Sequence, residues 1–287
     1  VFVITGITGK VGTIAASALL NAGQRVRAVV RTEEKGAVWR ARGCELAVVS
    51  EANDGAALAH AFDGAAGVFL MNPPNYDSEP TFPDTRRRAE ASAKALAEVK
   101  PGRVVLLSTV GAQATEFNLL NWARIYERAL AATGIPVALL RAAWFMENAV
   151  WDVAGARQGK FDSYLQPLDH AIEMVSVHDV GRTAADLLRE DWSGVRTVEL
   201  SGPRKYSPND EAACFAAVLG HPVRTAIVPR DSWEAAFRAQ GMQHPQGRIR
   251  MLDGFNEGWI DFQRHGTEQR TGTVALERVL SELAAES

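Results

Sequence analysis

Apolar and polar positions along the chain follow two rhythms. Short runs rich in Val, Ile and Leu, at residues 1–5, 25–30, 45–49, 68–71, 104–108 and 137–141, read as strands buried on both faces. Between them lie stretches with helical composition: 10–22, a segment up to Gly43, 55–62 with Asp54 as N-cap, 83–99 and 118–132, with Gly23 and Gly134 as stops. Six strands alternating with helices predict an α/β fold built on a doubly wound parallel sheet.

The first strand runs directly into Gly6-Ile7-Thr8-Gly9-Lys10-Val11-Gly12. Gly6 allows a sharp turn off the strand, Gly9 allows close approach of a pyrophosphate, and Gly12 allows the next helix to pack on the sheet. Phosphates would then lie over the free amides of the helix N-terminus. The spacing is G-x-x-G-x-x-G rather than G-x-G-x-x-G, so the strand–turn–helix–strand context carries the dinucleotide reading, against a Gly-rich turn that binds no nucleotide. At the end of the second strand, where an NAD-preferring fold places an acid, stands Arg31, with Lys35 close behind. A guanidinium welcomes a 2′-phosphate, so the expected cofactor is NADP(H); a solvated arginine at a strand end is the plainer alternative. The fourth strand ends in Met71-Asn72-Pro73-Pro74, and Met71, Asn72 and Pro73 are expected to flank the dinucleotide at the carboxyl edge of the sheet. The architecture is thus Rossmann-type.

Beyond residue 141 the pattern changes to that of a smaller C-terminal α+β lobe. A helix to about Arg189 and a strand at 197–200 are followed by a helix opening at Ser207-Pro208 and ending at Leu219-Gly220. A strand at 223–228 and a helix over 229–240 come next. Residues 242–247 read as a polar loop, mobile or facing a partner. Leu252, Phe255, Trp259 and Phe262 form a helical stripe over 250–262, read as lobe core or the face of a homodimer. Residues 273–285 read as an amphipathic helix capped by Thr273. The expected division is 1–152 plus about 176–200 for the dinucleotide domain, and about 153–175 and 201–287 for a substrate or partner lobe. Trp144, Phe145, Met146, Trp151, Phe161 and Tyr164 cluster after the sixth strand; they form either walls for a flat apolar acceptor or packing between lobes. Trp144, Phe145, Asn148, Trp151 and His178 are the candidate pocket residues. His178, in Ser176-Val177-His178-Asp179, also fits a helix start with no catalytic duty.

Composition narrows the partners. The chain has 287 residues, 31 Lys and Arg against 34 Asp and Glu, and a net charge of −3, which disfavours direct binding to nucleic acid. The run Arg86-Arg87-Arg88 fits a solvated helix face. No apolar run approaches a membrane span. Cys44 and Cys214 are lone thiols, the six histidines show no metal spacing, and no signal-peptide pattern opens the chain, so the expected setting is the cytoplasm.

Taken in order, the Gly6–Gly12 turn, Val30-Arg31-Thr32, Glu127 seven residues before Gly134-Ile135-Pro136, Leu140-Arg141 and Phe145-Met146-Glu147-Asn148 resemble the NmrA-like atypical short-chain dehydrogenases. The stretches from Val175 to Gly181 and from Leu219 to Val223 are similar too. This resemblance implies an NADP-binding domain with a small lobe closing over the nicotinamide, in a family of quinone and dye reductases and of regulators that bind the dinucleotide without turnover. The usual Tyr-x-x-x-Lys pair is absent: the residues four after Tyr76, Tyr126, Tyr164 and Tyr206 are Pro80, Leu130, Leu168 and Asp210. By spacing from Glu127 and Gly134, the family's Tyr and Lys positions fall on Leu119 and Ala123. Ala123 also argues against the isoflavone-reductase branch, whose members generally keep that lysine. Hydride transfer to a quinone-like or other aromatic acceptor survives this loss, with orientation as the main catalytic device and no catalytic side chain assigned. The alternative is a non-catalytic NADP(H) redox sensor acting through a protein partner.

Overall fold

A computed structural model describes residues 1–286. Its centre is an eight-stranded parallel sheet. In chain order the first elements are β1 (Phe2–Ile4), α1 (Lys10–Asn21), β2 (Val26–Val30), α2 (Glu33–Ala41), β3 (Glu45–Val48), α3 (Gly55–Phe62) and β4 (Gly67–Met71). Then come α4 (Pro83–Val99), β5 (Val104–Thr109), α5 (Asn121–Ala131) and β6 (Val137–Ala142). These strands are buried on both faces and alternate side by side. Val104 and Leu106 face the core under α3, α4 and α5; Val105 and Leu107 face the core shared with α1, α2 and α7 (Val177–Arg189). That two-sided burial is what continuous β-branched and leucine runs favour over an alternating pattern.

The remaining elements are β7 (Trp144–Phe145), a 3₁₀ turn at Met146–Trp151, α6 (Val153–Arg157), β8 (Lys160–Ser163), β9 (Ile172–Val175), and, after α7, β10 (Val195–Ser201) and β11 (Lys205–Tyr206). They end with α8 (Pro208–Leu219), β12 (Arg224–Ile227), α9 (Trp233–Ala239), α10 (Gln246–Glu257), β13 (Glu268–Thr271) and α11 (Leu276–Glu286). The main sheet has the order β3-β2-β1-β4-β5-β6-β10-β13, whereas β7, β9 and β11 form a three-stranded sheet and β8 and β12 a parallel pair. The order in which strands are added to the sheet reverses between β1 and β4, which opens a crevice at their carboxyl ends.

Several caps follow the local sequence. Asp54 accepts the N–H of Ala57 at 3.0 Å, Ser176 accepts that of His178 at 3.1 Å, and Ser207 with Asp210 makes a reciprocal capping box on α8. Four expectations shift. Strand β13 lies in the main sheet, paired in register with β10, although residues 201–287 read as belonging to the smaller lobe. Helix α11 starts at Leu276 rather than Thr273, and the Leu276 N–H goes to the Tyr206 hydroxyl at 3.2 Å. Helix α5 starts at Asn121 because the fully buried Asn118 forms a turn, its Oδ1 accepting the Leu120 N–H at 2.7 Å. Helix α10 ends at Gly258, φ +81°, so Trp259 and Phe262 of the stripe lie beyond it.

A buried acid pair joins the 3₁₀ turn to α8. Asp152 and Glu211 are hydrogen-bonded to each other; burial pushes both carboxyls up, Asp152 to about 7, and the charge of Asp162 adds to the shift of Asp152. The folded pair therefore retains a proton that the unfolded chain releases near pH 4. Its contribution to stability is fullest at acid pH and declines as pH rises toward and through 7. Thermal unfolding of Glu211→Gln should show this: relative to wild type, the variant gains stability steadily between pH 5 and 8. A pH-independent difference would exclude a shared proton.

Candidate dinucleotide and hydride-acceptor site

The Gly-rich turn leaves β1 with Gly6 at φ +60°, where an added Cβ would lie 2.9 Å from Met71 Cγ and closer still to its sulfur. Gly9 donates its N–H to the Gly6 carbonyl at 2.9 Å, and Thr13 closes the first helical bond to the Gly9 carbonyl at 2.9 Å. The Thr13 hydroxyl ties the turn further by donating to the Ile7 carbonyl at 2.8 Å. The N–H groups of Lys10, Val11 and Gly12 precede that first helical bond, and α1 has neither a capping side chain nor an acid in its first turn. Thr8, Gly9 and Lys10 are exposed over these amides. A helix start with free amides, no acid and an exposed glycine has the chemistry that suits phosphate oxygens.

Arg31 and Lys35 are exposed at the end of β2 and the start of α2. Nearby arginines are committed: Arg25 and Arg27 both bind Glu45, and Arg40 binds Glu33. Among the described residues, Arg31 has no hydrogen-bond or ion-pair partner, so its guanidinium is available to a ligand. Arg31→Ala is expected to weaken NADPH binding about tenfold or more and to leave NADH nearly unchanged, by loss of a charge-assisted contact. Calorimetric titration of both cofactors decides it, and equal losses would remove the 2′-phosphate from Arg31.

At the end of β4, the Met71 N–H donates to the Thr5 hydroxyl at 3.2 Å, and Met71 lies over the Gly6 turn. Asn72 is buried and its Oδ1 receives no hydrogen bond. Such an orphaned acceptor at the carboxyl edge of a sheet fits a donor group on a bound dinucleotide. Pro73 opens a strap to Phe82, whose Asp77 carboxylate accepts the N–H groups of Gln243 at 2.8 Å and His244 at 2.6 Å. The predicted polar loop at 242–247 is thus held, with Met242 buried.

Leu119 and Ala123, at the family's Tyr and Lys positions, are 4% and 0% exposed. No acid–base pair stands there. Beneath them lies a network that sequence spacing does not reveal. Arg141 of β6 grips Glu127 of α5 through Nε at 2.9 Å and Nη2 at 2.8 Å, and the Ser108 hydroxyl donates to the same carboxylate at 2.6 Å. Arg141 also reaches Gln263 at 3.1 Å and lies 3.8 Å from Glu199. Four hydrogen bonds, from the Gln263 and Arg264 backbone and the Thr267 and Gln269 side chains, hold the Glu199 carboxyl below its usual range despite burial.

The aromatic group after β6 is dispersed. Trp144 meets Phe255 edge-on at 5.1 Å, Phe161 meets Phe215 at 5.8 Å, and Tyr164 stacks on Phe237 at 5.1 Å. Phe145 and Asn148 are part-buried, Met146 is buried, and Trp151 is 64% exposed. His178 is part-buried in the first turn of α7, with Nδ1 buried and unpartnered. Between them, Glu147 accepts the Ser176 hydroxyl at 2.8 Å and the Val177 N–H at 2.9 Å, and burial raises its carboxyl while Lys10 opposes that shift. Glu147 is therefore bonded to the start of α7 within reach of the Lys10 charge at the start of α1, a residue present in the motif but not singled out by the sequence pattern. Among the described residues no cluster of three or more His, Cys, Asp or Glu could hold a metal ion, and no helix is long and apolar enough to cross a membrane.

Comparison with known proteins identifies the family and the fold. A family model described as NAD(P)H-binding matches residues 6–191. Over 241 residues the chain is 31% identical to a (4-alkanoyl-5-oxo-2,5-dihydrofuran-3-yl)methyl phosphate reductase of Streptomyces griseus, covering 83% of this chain and 80% of that protein. It is 25% identical over 252 residues to quinone oxidoreductase 2 of Escherichia coli, covering 87% and 84%. Triphenylmethane reductase of Citrobacter shares the fold with a TM-score of 0.81 at 20% identity, each chain 99% covered.

Proposed function

The chain belongs to the NAD(P)H-binding family, of the NmrA-like atypical short-chain dehydrogenase type, and from that membership we propose that it is an NADPH-dependent reductase of flat, electron-poor acceptors. The observation that carries this reading is the pair of buried apolar residues, Leu119 and Ala123, where an oxygen-protonating tyrosine and its lysine would stand. When bound, NADPH supplies a hydride to an electron-poor carbon of the acceptor, and water supplies any proton the product needs. The protein's part is then to bind, orient and exclude. The amides of Lys10, Val11 and Gly12 hold the phosphates, Arg31 with Lys35 selects the 2′-phosphate, and Met71, Asn72 and Pro73 flank the dinucleotide. Trp144, Phe145, Asn148, Trp151 and His178 remain the pocket candidates beside the nicotinamide. The dinucleotide unit comprises 1–152, about 176–200 and the edge strand β13, and the other segments form the substrate side.

Two relatives support the acceptor class by their names: one reduces an unsaturated lactone phosphate and the other a quinone. Both substrates are conjugated carbonyl compounds whose carbons accept hydride. The test is NADPH oxidation, followed at its near-ultraviolet absorbance, against quinones, unsaturated lactones, cationic dyes and simple aldehydes. Turnover of the first groups without aldehydes is the expected result. Tight NADPH binding with no turnover on any acceptor would replace the reductase by a redox sensor.

A further inference from the structure

Arg248 lies in the first turn of α10, where three segments meet at the carboxyl edge of the sheet. The carbonyl of its neighbour Gly247 accepts the Leu119 N–H at 2.8 Å, which sets α10 against the β5–α5 connection. The Gln243 and His244 N–H groups hold the β4–α4 strap through Asp77. Tyr76 of that strap and Tyr164 both act on the charge of Arg248, and its guanidinium carbon stands 4.5 Å from the centre of the Phe237 ring.

Among the described residues this cation has no carboxylate counterion. Its polar contact is the Met242 sulfur at 3.9 Å, a weak acceptor at long range. The surrounding arginines are neutralised: Arg230 and Arg250 share Asp253, and Arg238 binds Glu234. Asp77, the carboxylate on the facing strap, is consumed by two backbone N–H groups. Among the described residues no carboxylate or other oxygen accepts from Arg248. Burial lowers its pKa, which records the cost of a half-buried charge left unpaired. A guanidinium stays charged at any ordinary pH, and its planar fork matches an oxyanion with two parallel hydrogen bonds.

We propose that Arg248, its guanidinium oriented by the buried Phe237 ring, anchors an anionic group on the substrate, a phosphate monoester, with the Tyr76 and Tyr164 hydroxyls at its side. A phosphate monoester is preferred over a carboxylate because its greater charge better offsets a desolvated cation, and its three oxygens also accept from tyrosine hydroxyls. The proposal rests on the reductase reading for the substrate's conjugated part, but the anion site stands on Arg248 alone.

The test uses one hydroxymethyl-substituted unsaturated lactone in three forms: free alcohol, phosphate monoester and a carboxylate of equal length. Wild type should show a KM for the phosphate about ten- to hundredfold below that for the alcohol. Arg248→Met should bring that ratio close to one, and Arg248→Lys should restore part of it while NADPH affinity stays at the wild-type value. Equal KM values in wild type, or an unchanged ratio in Arg248→Met, would overturn the anchor; a carboxylate matching the phosphate would overturn the phosphate assignment. Should none of the three be reduced, the reductase reading falls, and calorimetry of the phosphate ester on NADP⁺-loaded protein decides the anchor. Binding lost in Arg248→Met keeps it; absent or unaltered binding rejects it.

Discussion

Gly12→Ala is expected to abolish measurable NADPH binding or weaken it by well over tenfold, together with a loss of roughly 1–3 kcal/mol of stability from overpacking. The built Cβ would lie 2.7 Å from the Gly6 carbonyl carbon and 2.9 Å from Ile7 Cα, and closer still to the Gly6 carbonyl oxygen. All three are backbone atoms of the phosphate turn, so no flexible side chain can yield. Helix α1 cannot retreat either, because its far side is packed just as closely: a Cβ on Gly181 of α7 would already stand 2.6 Å from Ile14 Cβ and 2.9 Å from the Val11 carbonyl. The turn itself must therefore open, carrying the amides of Lys10 and Val11 out of line. Gly9→Ala is the contrasting variant. Its Cβ meets only the Gly6 carbonyl oxygen, at 3.3 Å, so stability should change by no more than about 0.5 kcal/mol while NADPH binding falls, because the methyl stands on the side open to phosphate. Chemical denaturation and calorimetry on both variants separate the two roles. If Gly12→Ala binds NADPH like wild type, the packing role of Gly12 is wrong; if Gly9→Ala does, the phosphates do not approach there.

That contrast also marks what a sequence can disclose. The β1–turn–α1 unit is legible because its determinants are local: a strand, then glycines at the positions where φ or close approach demands them, then a helix without proline. The same holds for the caps at Asp54, Ser176 and Ser207, each set by residues within three positions. Strand β13 was hidden because Glu268–Thr271 is a polar edge strand whose place is decided by its partner β10, not by its own pattern. The stripe over 250–262 misled because spacing continues through Gly258, where the helix does not. Neighbours in sequence also proved poor guides to neighbours in space: Trp144, Phe161 and Tyr164 each pack on a ring from the last third of the chain, and Trp151 on none of them. Arg248 and the Glu127–Arg141–Glu199 network are long-range constructions, with Arg141 meeting Gln263 122 residues on and Arg248 facing a strap held by a contact spanning 166 residues, and no periodicity announces them.

Arg141→Met should cost about 3–5 kcal/mol of folding free energy, the range for removing one partner of a buried ion pair. Arg141 and Glu127 side chains are only 7% and 9% exposed, so water cannot replace the lost partner. With the guanidinium gone, Glu127 keeps the Ser108 hydroxyl alone, and a second carboxylate, Glu199, loses the cation 3.8 Å away. Glu199 tolerates this better, since four donors already hold it, so the penalty concentrates on Glu127. The double variant Glu127→Leu/Arg141→Met removes both charges and should recover most of the loss, because a buried pair contributes little over an apolar replacement of similar volume. Urea denaturation of the single and double variants gives the coupling energy directly. A single-variant cost below about 1 kcal/mol would show that Glu127 finds another partner or takes up a proton. The position of the pair explains why its cost is tolerated: Ser108 lies in the last two residues of β5 and Arg141 in β6, so the network stiffens the floor formed by the carboxyl ends of these strands beside the crevice. A site that relies on orientation rather than proton transfer needs that floor rigid, and NADPH affinity in the double variant is expected to fall even where stability returns.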